Sequence, residues 1–182
     1  MVDPAPRPFL LDTSAERWLN RTREDEVRRW MREYLLLHEI HVSAVTVIER
    51  VRGYSLLWRR VEESKRAEIE AMRMAYLQNL RLVLPLDAPV AVVAAEIMAL
   101  VPDPPTPPRR SHKVPESRQE RLARWRFDAM IAATALVARM PLIHNNAADF
   151  ETIRHSIECA PERFPNLGPL ELIRCTSLVE TP

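Results

Sequence analysis

Five short apolar stretches punctuate this chain: "PFLL" (8–11), "IHVSA" (40–44), "RLVLPLD" (81–87), "PLIH" (141–144) and "GPLELIRC" (168–175). Segments of helical periodicity run between them. Strands separated by helices are joined by crossovers, and crossovers lay helices over both faces of a parallel sheet. Right-handed crossovers leave few arrangements. Three strands wound one way and two the other predict an α/β fold with strand order 3-2-1-4-5. Strands 1 and 4 then become neighbours, and the crevice at their carboxyl ends is where such sheets take ligands.

The intervening segments support that frame. In "REDEVRRWMREYLLL", Val27, Trp30, Met31, Tyr34 and Leu35 fall on one side and the charges on the other. Ser43 is placed to cap the helix "VTVIERVRGYSLLWRR". "VEESKRAEIEAMRMAYLQNL" reads as an amphipathic helix with Glu62 and Arg66 as an i,i+4 pair. "DAPV" starts the next, apolar helix. "PDPPTPPRRSHKVPES" holds six prolines, which exclude helix interior and central strand. The strand–helix rhythm resumes after it. The expectation is therefore one domain over 1–182, with a proline-rich surface insertion at about 101–117. "RQERLARWRFDAMIAATALVARM" reads as a long helix, buried in its uncharged second half.

Composition removes several functions. The chain has 182 residues, 47% of them hydrophobic, enough for one sizeable core. Its only glycines, Gly53 and Gly168, rule out a glycine-rich phosphate loop. A net charge of +1 means that any attraction to nucleic acid comes from local patches. Cys159 and Cys175 have no metal or redox spacing and read as free thiols of a reducing compartment. No apolar run is long enough to cross a bilayer, and "MVDPAPRPFLL" is too short and proline-rich for a secretory signal. A cytoplasmic protein without a membrane partner is expected.

Acidic residues stand where surface charge does not belong. Asp12 ends the first strand, and Asn145, Asn146 and Asp149 follow the fourth, at the same crevice. Glu49 lies within the apolar "SAVTVIERVRG", and Asp128 one turn before a stretch without charge, "AMIAATAL". Buried lone carboxylates are costly, and several together repel one another and take up protons. A divalent cation resolves both difficulties. Donors that are all oxygen favour Mg²⁺ or Mn²⁺ over zinc. Each acid also has a plainer reading. Asp12 and Asp149 serve as helix caps, Glu49 pairs with Arg50 or Arg52, and Asp128 with Arg124 or Arg121. For Asp87, on the edge strand, the helix-start role is preferred. His144 reads as a packed or hydrogen-bonding residue. Thr13 and Ser14 have no His–Asp set nearby, which argues against a nucleophilic triad.

These motifs, in this order, resemble the PIN domain, and in particular the VapC-type toxins of toxin–antitoxin pairs. "LLDTS" is similar to the first motif of that family, with Asp12 as the metal ligand supported by Thr13 or Ser14. "SAVTVIERVRG" resembles the second, with Glu49 as ligand. "DAMIAATAL" resembles the third, with Asp128. "LIHNNAADFE" resembles the fourth, with Asp149 as the last acid and Asn146 in the polar position three residues before it. His144 stands where the family more often has Thr or Ser, and the insertion before Asp128 is longer than usual. The resemblance implies a PIN-like three-layer fold and a Mg²⁺-dependent (or Mn²⁺-dependent) endoribonuclease. Asp12, Glu49, Asp128 and Asp149 would then be both catalytic and metal-binding, and the products would carry a 5′-phosphate and a 3′-hydroxyl. It also implies an RNA substrate, a cognate antitoxin protein and a homodimer.

An acidic site needs cations nearby to receive RNA. Residues 109–126 carry seven, Arg109, Arg110, Lys113, Arg118, Arg121, Arg124 and Arg126, against Glu116 and Glu120. Arg50, Arg52, Arg59 and Arg60 form a second group. Arg50, Arg52, Arg121, Arg124 and Arg126 are the candidate phosphate contacts; a solvated face or an acidic partner would account for them equally. Two other functions compete. A phospho-acceptor receiver domain also gathers acids at strand ends, but "PLIHNNAADF" and "GPLELIRC" lack the lysine it requires. A non-catalytic PIN-like module binding RNA or protein would keep the fold without the chemistry.

Overall fold

In the computed structural model, which describes residues 7–80, 82–105 and 116–178, a five-stranded parallel sheet forms the middle layer. Its strands are β1 (Leu10–Leu11), β2 (His41–Ser43), β3 (Leu82–Leu84), β4 (Leu142–His144) and β5 (Leu172–Arg174), in the order β3-β2-β1-β4-β5. All four pairings are parallel. The predicted topology is therefore the observed one. The strands are shorter than the apolar stretches that announce them, because backbone pairing stops where the chain turns into each helix.

The period-two alternation of strand side chains divides the core. Leu10 and Leu142, which face each other in register, point into a cluster with Val90, Ala94, Ile97, Trp125, Ala129, Phe150 and Ile153. That cluster lies beneath α5 (Ala88–Leu100), α6 (Arg118–Ala138) and α7 (Ala147–Cys159). Leu11, Val42 and Ile143 point to the opposite face, against Ala15, Leu19, Val27, Trp30 and Tyr34. These belong to α1 (Thr13–Leu19) and α2 (Asp25–Leu37). On that side the Phe9, Trp30 and Tyr34 rings stack with centroids 5.5–6.1 Å apart. On the other, the buried Trp125 donates its indole N–H to Val101 O at 3.0 Å. Truncating a Trp in such a core costs about 3–5 kcal/mol. α3 (Ala44–Arg60) and α4 (Glu63–Gln78) pair with each other and bury little of their own.

Helix starts follow local chemistry. Ser43 accepts from Thr46 N–H at 3.0 Å and Asp87 from Val90 N–H at 3.1 Å, both as predicted. Ser117 and Glu120 close a capping box at the head of α6. Some readings need correction. Leu35, expected on the apolar side of its helix, is 49% exposed, and Leu36 and Leu37 beside it at the end of α2 are exposed as well. Glu62 is the N-cap residue of α4, and the Arg66 guanidinium lies 4.5 Å from the Trp58 ring centre instead of joining an ion pair with it. Both cysteines are free thiols. Among the described residues no helix is long and apolar enough to cross a membrane. Most of the proline-rich insertion, residues 106–115, lies outside the described residues, and Arg109, Arg110 and Lys113 with it.

Candidate active site

Neighbouring parallel strands that send their helices to opposite faces leave a gap at their carboxyl ends. β1 and β4 leave such a gap, and polar groups fill it. Asp12, directly after β1, is the N-cap of α1: its Oδ1 accepts from Ala15 N–H at 2.5 Å. Ser14 Oγ donates to the same carboxylate at 2.8 and 3.0 Å and accepts from Asn145 N–H at 3.2 Å, which ties the two strand ends together. The cap and the crevice readings of Asp12 thus hold at once. Thr13 Oγ1 donates to Glu49, which projects from the second turn of α3.

From the other side come Asp128 on α6 and Asp149 on α7. Asn146 Nδ2 bridges them, donating to Asp128 Oδ2 at 2.8 Å and to Asp149 Oδ2 at 2.5 Å. α7 begins at Ala147 with Asn146 as its cap residue, so the expected cap at Asp149 is wrong. Asp149 lies in the first turn, fully buried, in place of acting as a cap. Asp12, Thr13, Ser14, Arg17, Glu49, Arg124, Asp128 and Asn146 line one cleft of about 140 Å³, room for several waters.

Electrostatics records the crowding. Burial pushes the Asp12 carboxyl up to about 6; the Ala15 amide and the Ser14 hydroxyl pull against it, and the Glu49 charge adds to it. Asp128 is pushed well above the carboxylate range, first by burial, then by Asp149, Asp12 and Glu49. The carboxylates thus raise one another's proton affinity even with Arg17 and Arg124 in the cleft lining. Among the described residues no three acidic, histidine or cysteine side chains close around a common point as they stand. Donors hold the carboxylates instead: the Asn146 amide and Arg124, whose Nη1 lies 3.1 Å from Asp149 Oδ2. The donor set of hard, anionic oxygens on rigid helices and strand ends suits a divalent cation such as Mg²⁺ or Mn²⁺.

The arginines divide. Arg50 turns away from Glu49 into a larger cavity of about 350 Å³ lined by Leu11, Val42, Tyr54 and Tyr76. There it pairs with the buried Glu16 at 3.0 Å and lies against both tyrosine rings. It does not join the acid cleft, because consecutive helical residues face about 100° apart. Arg52 and Arg126 are exposed, and Arg121 is half buried. Arg118 pairs with Asp103 at 3.0 Å. Arg124 enters the cleft, bound also to Glu116. Sequence reading missed three things: Arg17 at the cleft wall, the Glu16–Arg50 pair and the Glu116–Arg124–Asp149 chain. Arg17 follows Asp12 by five residues on a helix that starts at the site, a signal that was legible. The other two join residues 34 and 25 positions apart in the chain. His144 is fully buried beside the Phe150 ring, with centroids 5.0 Å apart. Burial pushes its imidazole down to about 4. It packs, as expected.

Known proteins share this fold. Among solved structures, VapBC2 from Rickettsia felis, bound to a DNA fragment from its promoter, superposes with a TM-score of 0.57 at 14% identity, covering 92% of this chain and 98% of that one. VapBC-1 from nontypeable Haemophilus influenzae gives 0.57 at 16%, covering 93% and 99%. FitAcB from Neisseria gonorrhoeae gives 0.56 at 19%, covering 92% and 98%. A search of curated protein sequences gives no match. The family model of the PIN domain matches residues 9–155. That span runs from β1 into α7 and takes in most of the chain: the chain belongs to the PIN domain family.

Proposed function

We propose that this protein is a metal-dependent endoribonuclease, the toxin of a type II toxin–antitoxin pair. The observation that carries the reading is the convergence of Asp12, Glu49 and Asp128 on one cleft, with Asp149 linked to Asp128 through the Asn146 amide. Asp12 and Asp128 would hold Mg²⁺ or Mn²⁺ directly, and Glu49 and Asp149 directly or through water. A divalent cation bound there lowers the pKa of an attacking water and offsets charge on the phosphate oxygens. The remaining work belongs to the chain. Ser14 orients Asp12, Thr13 orients Glu49, and Asn146 fixes Asp128 and Asp149 relative to each other. Arg17 and Arg124 at the cleft wall, with Arg52, Arg121 and Arg126 beyond it, would guide the RNA phosphates past an otherwise repulsive site.

The partners follow from the same reading. The superposed VapBC and FitAcB structures support a cognate antitoxin protein; a homodimer and a cytoplasmic location complete the picture. A non-catalytic PIN-like module is the second reading, favoured by one observation: Asp149 already holds Arg124. End-labelled structured RNA incubated with the protein and Mg²⁺ or Mn²⁺ separates the two. We expect 5′-phosphate and 3′-hydroxyl products that disappear with chelator and fall at least about 100-fold in Asp128→Asn. Metal binding with every RNA left intact would favour the module, and acid-labile phosphate on an aspartate the receiver domain.

A further inference from the structure

One guanidinium reaches into the acid cleft from within the chain. Arg124 stands one helical turn before Asp128 on α6. Its Nε and Nη2 donate to the two Glu116 oxygens at 3.2 and 3.1 Å, the two-pronged geometry that arginine alone provides. The remaining Nη1 donates to Asp149 Oδ2 at 3.1 Å. The side chains of Arg124, Glu116 and Asp149 are only 13%, 12% and 0% exposed. Charges so withdrawn from water feel one another more strongly than a surface pair does. Arg124, itself in the cleft lining, is thus one cation shared between Asp149, fully buried behind that lining, and Glu116, which also lies outside it. Glu116 is also the first described residue after the undescribed part of the insertion, immediately before the Ser117 cap of α6.

We propose that Arg124 is a tethered counter-ion that occupies Asp149 in the metal-free protein and competes with the divalent cation for it, with Glu116 setting the strength of that competition. The inference rests on the reading of the four acids as a divalent-cation site. It carries a signature that mere support of the site does not. Removing Arg124 withdraws a competing positive charge, so the cation binds more tightly. Neutralising Glu116 leaves the guanidinium charge to the acids of the site, Asp149 first, so the cation binds more weakly. A scaffold role would make both substitutions weaken binding.

The test is a Mn²⁺ titration of the full chain without RNA, with free Mn²⁺ read by electron paramagnetic resonance, for wild type, Arg124→Ala and Glu116→Gln. We expect affinity about 10-fold higher in Arg124→Ala and about 3-fold lower in Glu116→Gln. If Arg124→Ala does not fold, Arg124→Gln, which keeps an amide donor for Asp149, carries the same expectation. Binding weakened in both variants, or unchanged in both, overturns the proposal. Absence of Mn²⁺ binding in every variant overturns it together with the metal-site reading. Tighter binding in Arg124→Ala with no RNA cut by any form sustains the counter-ion and removes the nuclease.

Discussion

Asp12 caps α1, ends β1 and faces Glu49, and these roles conflict energetically. Its folded pKa of about 6 lies above the ordinary 3.8. The group therefore contributes stability below pH 3.8 that is lost as pH rises through about 6. At pH 8, without metal, Asp12→Asn keeps a cap of similar strength and removes the buried charge. We expect it to gain about 1–3 kcal/mol in urea unfolding with chelator present, and to lose the rise in Tm that Mg²⁺ gives the wild type. A loss of stability would mean that the charge is better solvated than its burial indicates. His144 has the opposite sign. Its imidazole, at about 4 against 6.5, is held neutral, so the stability it contributes above pH 6.5 drains away as pH falls through 4. Between pH 8 and 4.5 we expect wild type to lose about 2 kcal/mol more than His144→Leu, measured by urea unfolding at both values. Equal losses would contradict the assignment. The sequence marked Glu49 and Asp128 as charge inside an apolar pattern, and Asp12, Asn146 and Asp149 by their place directly after strands 1 and 4. It did not mark the direction of Arg50: adjacency to Glu49 suggested a pair, and helix geometry sends the two side chains into different cavities.

At the level of elements, legibility followed periodicity. α5, with its helix-start Asp87, and the long α6 were readable because caps and apolar spacing agree locally. The exposure of Leu35, Leu36 and Leu37 was not, since an apolar run does not tell whether a neighbouring element covers it. The start of α7 was missed because "NNAAD" offers three polar candidates for its cap and the side chain of Asn146 is engaged by the acids instead. Gly53 sits in the middle of α3 without positive φ, and a Cβ added there meets nothing within 4 Å. Its place in the family-like second motif therefore has no backbone justification. Gly53→Ala should stabilise the protein by about 0.5–1 kcal/mol through helix propensity, readable as a higher urea midpoint with unchanged slope. A decrease would show that α3 needs flexibility or that another surface covers this face.

At the scale of the molecule, topology did what no single motif could. Alternation with right-handed crossovers narrowed the strand orders to a few, and the one expected and observed, 3-2-1-4-5, brings residues 12 and 149 to one crevice although most of the chain separates them. What one dimension concealed is the third partner of each pair: Arg124 between Glu116 and Asp149, Arg50 on Glu16, Asn146 between two aspartates. Of these, the Arg124 and Asn146 contacts hold Asp128 and Asp149 as they stand, and they are the groups that would yield if an ion entered. The most direct measurement is therefore the crystal structure of the protein grown with Mn²⁺, with the ion located by its anomalous scattering. The account predicts a manganese peak bonded to the carboxylate oxygens of Asp12 and Asp128, with Glu49 and Asp149 bonded directly or one water away. A cleft without a peak at saturating Mn²⁺, or manganese held elsewhere while Arg124 keeps its hold on Asp149, would contradict it.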